Sequence, residues 1–275
     1  MLVSQSVGVL ASAAILSVAR EPFPGAEAVL WGGAAGVSGV VGLAFFYRAL
    51  SGGRMALIAP IAGVIGAAVP ALVAVAGGEQ LGMVRLAGLV AALVAIVLIS
   101  VTAGAARSHA RLSRSDFGLA FLAGLGFAAF FLCLDRASAV GGQTWWPLLA
   151  VRVVGLSTIV LTLAFVVARR HGHAPLRMRV RAILGIDRLR LAHSARGRSL
   201  VVPALVVAGL GDMGGNAFFV LANQVDALAV AVVLSSLYPI VTALLAAAVL
   251  GERLSRMQVA GVGLAALAAG LIGAG

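Results

Sequence analysis

Uncharged apolar runs divide this chain into nine segments, separated by short polar connections and one long one. A helix needs about 17 to 25 predominantly apolar residues to cross a bilayer, and each run is close to that length. The runs cover residues 2–19, 27–50, 55–77, 83–105, 117–138, 143–168, 200–221, 227–250 and 257–274. We therefore predict an all-α fold, a polytopic membrane helical bundle of nine spans.

Composition agrees with this class of protein and excludes others. Of the 275 residues, 62% are hydrophobic and 11% are charged, and the mean hydropathy is +1.11. Soluble domains are about half apolar and about a quarter charged. These values exclude a soluble enzyme, a nucleic-acid-binding module and a disordered tail. The single Cys133 excludes a disulfide framework and a cysteine-based metal site. The predicted location is the inner or plasma membrane, as a multi-pass protein among membrane lipids.

Basic residues are concentrated in one connection, residues 169–199. The chain has 20 basic residues against 9 acidic ones, a net charge of +11. The basic residues of this connection are Arg169, Arg170, Arg177, Arg179, Arg181, Arg188, Arg190, Arg196 and Arg198. The connection has no aromatic residue on which a base could stack, which argues against nucleic acid and favours a loop at the anionic cytoplasmic membrane surface. The arginine distribution predicts a cytoplasmic N-terminus and an external C-terminus.

The chain contains an internal repeat. Residues 39–99 align without a gap on residues 212–272, an offset of 212 − 39 = 173. Ala44–Phe46 falls on Ala217–Phe219, and the Gly-Glu pair at 78 falls on that at 251. Because an odd number of spans, five, separates each helix from its mate, the two copies must cross the membrane in opposite directions. Inverted repeats of this kind are typical of secondary transporters.

The repeat predicts two domains of unequal length. The first repeat covers residues 1–105 and has four helices. A connecting loop covers residues 106–116, and the second repeat covers residues 117–275 with five helices and the arginine-rich loop. The first repeat is therefore expected to lack its first helix.

Several short motifs resemble a known family. They are Phe46-Tyr47-Arg48-Ala49-Leu50, Ala59-Pro60-Ile61-Ala62, Gly78-Glu79-Gln80-Leu81, Leu237-Tyr238-Pro239 and Gly251-Glu252-Arg253-Leu254. With them the chain resembles the EamA-type permeases of the drug/metabolite transporter superfamily. The resemblance implies ten helices in two inverted five-helix repeats, and transport of small metabolites such as amino acids or drugs. Two features depart from the family: its first helix has no counterpart here, and its ten-helix members keep both termini inside, which would place Met1 outside.

Asp212 is the most unusual polar residue within a span. An ionisable group at membrane depth costs about 2.5 to 3.5 kcal/mol on the insertion scale, so it normally faces a cavity or a partner. Asn216 lies one turn further along the same helical face. The repeat mates of the two residues are Gly39 and Leu43, so the polarity belongs to one half only. Two interpretations stand: a proton or cation site on the transport path, or a structural ion pair or packing hydrogen bond.

The other candidate substrate-binding residues are cationic or aromatic. Arg152 lies too deep to reach the surface easily and is a candidate partner of Asp212, or a group that holds an anionic substrate. Arg48 either lines the path or extends to the membrane surface. The aromatic candidates for stacking on a substrate are Tyr47, Phe127 and Tyr238, with span-end belts as the alternative.

Glutamates and prolines at the ends and middles of spans suggest mainly structural roles. Glu79 and Glu252 end their spans, where a carboxylate can bond the backbone or a neighbouring arginine. Pro60, Pro70 and Pro239 are expected to interrupt their helices and to free carbonyls that can line a cavity.

The residue inventory favours a transporter over an enzyme. All four histidines lie in the arginine-rich loops, so no span holds a serine and histidine pair or a set of metal ligands. No cofactor motif is present, and none is predicted. We predict a secondary transporter that moves small organic molecules by alternating access, with optional proton coupling. The alternatives are a passive channel or facilitator and a non-transporting membrane scaffold. Each of these three functions is compatible with a homo-oligomer.

Overall fold

The computed structural model describes most of the chain. It leaves out residues 1, 52–54, 106–113, 171–194, 226, 238–239, 242–243, 245–246, 248–254 and 275. The central part of the arginine-rich loop, Tyr238, Pro239 and Glu252 therefore lie outside the described residues.

The described residues form nine helices, which confirms the all-α prediction for this part of the chain. The helices are α1 (Leu2–Ala19), α2 (Ala26–Leu50), α3 (Met55–Ala76), α4 (Met83–Ala105), α5 (Arg114–Gly141), α6 (Trp145–Arg170), α7 (Ala195–Val225), α8 (Leu228–Ser235) and α9 (Arg256–Ala274). Most bounds agree with the apolar runs to within a few residues, because the same charged and glycine-rich connections end both.

Among the described residues, six helices are long and apolar enough to cross a membrane, judged by length and composition. Their apolar segments are Ala26–Leu50, Ile58–Ala76, Arg114–Gly141, Trp145–Val166, Leu205–Val225 and Arg256–Ala274. Apolar stretches of α1 and α4, Ser4–Ala19 and Met83–Ile99, accompany them. Large apolar side chains such as Leu161 and Phe218 are exposed on their surfaces. Soluble proteins rarely expose large contiguous apolar surface, so these features indicate a membrane-embedded protein.

The prolines behave differently from the expectation. Pro60 and Pro70 are buried inside α3, and the helix continues through both. The expectation that they interrupt this span is wrong. Proline removes only its own N–H bond, and neighbouring helices can hold the backbone on either side in helical form. In the predicted span 227–250, by contrast, the first helix is short. α8 ends at Ser235, and a turn follows at Ser236 and Leu237.

The chain forms two compact units, and each contains segments from both predicted repeats. Unit 1 comprises Met1–Val40 and Arg136–Phe218, and unit 2 comprises Val41–Asp135 and Phe219–Gly275. A repeat is defined by sequence and helix order, whereas a compact unit is defined by contact, so the two divisions need not coincide. The backbone passes from one unit to the other within α2, within α5 and within α7.

In unit 1, glycines let α2 approach α6 closely. A Cβ atom on Gly36 would lie 2.6 Å from the carbonyl oxygen of Val151, and one on Gly32 would lie 2.9 Å from that of Pro147. Neither contact leaves room for a side chain. Small residues at such positions allow the close backbone approach on which helix packing in membranes depends.

In unit 2, α4 and α9 pack antiparallel along their length. Near the start of α4, a Cβ on Gly88 would lie 2.8 Å from Cγ1 of Ile272, near the end of α9. At the opposite ends, a Cβ on Gly261 would lie 2.5 Å from Cγ1 of Ile99. A buried cluster that includes Ala95, Ile99, Ile240 and Ala265 lies in the same unit.

Two glutamates bond the N-terminal turn of a distant helix. Glu21, just after α1, accepts hydrogen bonds from the backbone N–H groups of Thr144 (3.2 Å) and Trp145 (2.9 Å) at the start of α6. Glu79, just after α3, accepts one from Ala229 of α8 at 3.2 Å. The first N–H groups of a helix have no partner within it, so a carboxylate there satisfies them and complements the helix dipole. This confirms backbone anchoring for Glu79.

Candidate functional site

The structure divides the candidate residues between the two units. Asp212, Asn216 and Arg152 belong to unit 1, whereas Tyr47, Arg48 and Phe127 belong to unit 2. Tyr238 lies outside the described residues.

Asp212 and Arg152 form an ion pair. An Nη1–H of Arg152 donates to Oδ2 of Asp212, which joins α6 to α7. Both residues lie within apolar segments, Arg152 in Trp145–Val166 and Asp212 in Leu205–Val225. The pairing is one of the two roles that the sequence left open for Arg152, and it is confirmed.

The two charges differ sharply in exposure. The side chain of Arg152 is 2% exposed, whereas that of Asp212 is 51% exposed. A buried guanidinium needs an opposite charge close by, because removal from water penalises its charged form heavily. The exposed carboxylate has no such need. Asp212 is therefore the member of the pair that can exchange partners, and Arg152 is the member held in place.

Gln5 of α1 is the third member of this site, and the sequence analysis did not identify it. Nη1 of Arg152 also donates to Oε1 of Gln5, at 3.1 Å. Gln5, Gly8 and Ser12 are spaced three and then four residues apart, which places them on one face of α1. Polar and small residues at this spacing inside an apolar run were the signal that could have identified a polar face.

Glycines bring the three helices of the site together. A Cβ on Gly209 of α7 would lie 2.8 Å from the carbonyl oxygen of Ser4, so only glycine lets α7 pack this closely on α1. Asp212 follows one turn later. On α1, a Cβ on Gly8 would lie 3.0 Å from Cδ of Arg152, so the arginine stem occupies the space that a side chain would take. The ion pair therefore depends on two glycines that carry no chemistry.

Not all polar atoms of this region are paired. Nε and Nη2 of Arg152 are buried and have no hydrogen-bond partner among the described residues, and the same is true of Oγ of Ser12. Buried donors of this kind are uncommon in native proteins and call for an explanation. Arg152 therefore uses one of its three nitrogens for both protein contacts.

The described residues offer no group of three or more His, Cys, Asp or Glu side chains that could hold a metal ion. The polar site of unit 1 instead combines one carboxylate, one guanidinium and one amide. Such a set can bind a charged ligand group, exchange ion-pair partners, or take up a proton on the carboxylate.

The candidates of unit 2 do not form one cluster with polar contacts. Phe127 is half-buried and packs edge-to-face on Phe46, with ring centroids 5.9 Å apart. A Cβ on Gly66 would lie 3.1 Å from Cβ of Phe127. These contacts make it a packing residue between helices. Tyr47 and Arg48 are exposed at the end of α2, which is compatible with either role that the sequence left open.

Comparisons with known proteins bear on the fold. No protein-family model and no curated protein matches this chain. One solved structure, described only as the crystal structure of a protein, is similar to it with a TM-score of 0.52 and 19% identity. The likeness covers 98% of this chain and 83% of that chain. At this identity, the likeness shows that the two chains share a fold.

Proposed function

We propose that this protein is a secondary transporter of small organic molecules that works by alternating access of two inverted repeats. The observation that carries the proposal is the ion pair of Arg152 and Asp212, a charged site within two apolar helices, with one half-exposed member. Charged residues at membrane depth are rare and usually mark a substrate or ion pathway.

Reciprocal contacts support the inverted repeat. Gly88 contacts Ile272, and Ile99 contacts Gly261. At the offset of 173, the mate of Gly88 is residue 88 + 173 = 261, and the mate of Ile99 is residue 99 + 173 = 272. Replacing both residues of one contact by their repeat mates therefore gives the other contact. A two-fold axis between antiparallel mates requires this relation.

The helix starts and the glutamate contacts agree with this symmetry. α3 and α8 begin at Met55 and Leu228, and 228 − 55 = 173. Glu79 follows the end of α3 and bonds the start of α8, so these mates run in opposite directions. Glu21 follows the end of α1 and bonds the start of α6, so these two helices also run in opposite directions.

The motifs that resemble EamA-type permeases supply the proposed substrate class of small metabolites such as amino acids or drugs. Within this scheme, Asp212 is the proton or cation site. Protonation of Asp212 would release Arg152 from its partner, so that uptake of a proton and rearrangement of the site are coupled. Asn216, one turn away and half-buried, extends the polar face of α7.

Transport can be tested in proteoliposomes that contain the purified full chain. A panel of radiolabelled amino acids and neutral drugs is offered with and without an imposed pH gradient. We expect at least one compound to accumulate above its equilibrium distribution under the gradient, and an uncoupler to abolish the accumulation.

The two alternatives give different results in the same assay. A passive facilitator equilibrates the compound and shows no accumulation with the gradient. A scaffold gives no flux of any compound above protein-free liposomes, even when the reconstituted protein is folded. Either result contradicts the proposal.

A further inference from the structure

The guanidinium of Arg152 has one nitrogen in contact with the protein and one edge without a partner. Nη1 donates to Gln5 and Asp212, whereas Nε and Nη2 have no hydrogen-bond partner among the described residues. The Nε–H and one Nη2–H of a guanidinium point in the same direction from a single edge. Their spacing matches the two oxygens of a carboxylate, which Arg binds in a bidentate manner.

An unpaired donor in an apolar interior is unfavourable by about 1 to 3 kcal/mol, and by more when it is charged. Nothing in the Asp212 contact requires this edge, since that contact uses Nη1 alone. A lysine could supply a single charged nitrogen to the same carboxylate. The unpaired edge is therefore the feature of Arg152 that its structural role leaves unexplained.

The exposure of the pair indicates how a ligand would reach the arginine. Asp212 is half exposed and Arg152 is 2% exposed, so the accessible side of the site is the side of the carboxylate. A ligand with its own carboxylate can take the unpaired Nε–Nη2 edge, and it then competes with Asp212, which is held at Nη1, for the charge of the guanidinium. Gly8 contacts the stem of Arg152 and leaves α1 without a side chain there, which keeps the cation between α1 and α7.

We propose that Arg152 binds the carboxylate of a small organic anion, in competition with the carboxylate of Asp212. This inference rests on the proposed transport function and names its substrate class. Exchange of one carboxylate for another keeps the buried guanidinium paired throughout. The released Asp212, on the exposed side, is then free to take up a proton, so that anion and proton can cross together without net charge.

The test measures binding of benzoate by the full chain in phosphatidylcholine nanodiscs, with benzamide as the neutral compound of the same shape. We expect benzoate to bind and to raise the unfolding temperature, and benzamide to do neither. Asp212→Asn removes the competing charge, so the affinity for benzoate should rise about tenfold, which corresponds to about 1.4 kcal/mol. Arg152→Lys keeps the charge but loses the pair of N–H donors on one edge, so the affinity for benzoate should fall by about tenfold or more.

Arg136→Lys is the matched control, because Arg136 belongs to unit 1 and is exposed. It should bind benzoate as the original protein does. Equal binding of benzoate and benzamide, or unchanged affinity in Arg152→Lys, overturns the inference. Should Arg152→Lys fail to fold, Asp212→Asn decides, since it retains Arg152; no gain in benzoate affinity there also overturns it.

A lipid headgroup could offer an anionic group to the same arginine. Nanodiscs with added phosphatidylglycerol separate the two sources: loss of benzoate binding in them assigns the site to lipid and overturns the inference. The transport assay keeps this inference distinct from the proposed function. Accumulation of neutral compounds without benzoate binding leaves transport standing and refutes the anion site. Benzoate binding at Arg152 with no flux of any compound leaves the anion site standing and refutes transport.

Discussion

At the scale of single residues, the polar site of unit 1 is an ion pair whose two members differ in burial. Arg152 is almost fully buried and Asp212 is half exposed. Loss of a partner therefore has unequal effects. Without Asp212, the buried guanidinium keeps Gln5 as its one hydrogen-bond partner among the described residues; without Arg152, the carboxylate that remains is not buried.

Asp212→Asn tests the role of this carboxylate in transport. Asparagine has the same shape and still accepts a hydrogen bond, so we expect the variant to fold and reach the membrane, and to lose pH-driven accumulation of substrate. Uptake into proteoliposomes under an imposed pH gradient measures this. Asp135→Asn makes the same chemical change in α5 of unit 2, and should keep the pH drive. Normal rate and pH dependence in Asp212→Asn would assign Asp212 to structure alone.

The contribution of the pair to stability is a separate prediction. Arg152→Gln and Asp212→Asn should each lower the free energy of unfolding, with the double variant more stable than the sum of the two losses implies. Because the two side chains are in contact and Asp212 is half exposed, we expect a coupling of about 1 to 3 kcal/mol. Unfolding in mixed micelles at increasing denaturant measures it. Strict additivity would show that the contact does not stabilise the protein.

At the scale of helices, glycines determine which faces meet. Gly209 contacts the backbone of Ser4, next to Gln5, and positions the turn of α7 that carries Asp212. Sequence periodicity alone does not distinguish this glycine from Gly211, two residues later, around which no atom lies within 4 Å of a Cβ position.

The two glycines therefore form a matched pair for mutation. Gly209→Ala places a methyl group 2.8 Å from a backbone oxygen, which cannot move without shifting α1. We expect a loss of about 1 to 3 kcal/mol in stability together with reduced transport. Gly211→Ala meets no neighbour and should be neutral or slightly stabilising. Thermal unfolding in detergent compares them, and equal effects of the two substitutions would contradict the proposed packing of α1 on α7.

Antiparallel packing of α4 and α9 can be tested by cross-linking. In a Cys133→Ser background, the double variant Gly88→Cys with Ile272→Cys should form a disulfide on mild oxidation, because these positions are in contact. The control pair is Gly88→Cys with Gly261→Cys. These two mates lie near opposite ends of the packed helices and should remain unlinked. The reverse pattern, detected by mobility on non-reducing gels, would indicate parallel mates.

At the scale of the whole molecule, each of the two compact units combines segments from both halves of the chain. The six long apolar helices indicate a membrane-embedded protein, but they do not determine its orientation, because length and apolarity are the same in both directions. Orientation depends on the charges of the loops.

Reporter fusions test the orientation that the arginines predict. Fusions after Arg114 and within residues 177–190 should both report a cytoplasmic location, since arginine-rich loops resist translocation. The C-terminus should report an external location. External signals at both loop positions in an active protein would favour the orientation of the ten-helix family.

The helical class, the extents of most helices and the unusual position of Asp212 could all be predicted from the order of the amino acids. These follow from properties of single segments: an apolar run must satisfy its own backbone hydrogen bonds in lipid, and a charge within it is costly wherever it lies. The structural role of Glu79 could likewise be predicted, because a carboxylate at the end of a span can bond backbone N–H groups.

Which side chains contact one another became apparent only in the folded chain. It paired Asp212 with Arg152, added Gln5, identified Gly209 as the contact that positions them, and placed Phe127 in helix packing. It also showed that α3 continues through its prolines. The physical reason is that contacts between helices depend on the rotation and approach of each helix, which small residues on neighbouring helices determine jointly. No single apolar run contains that information.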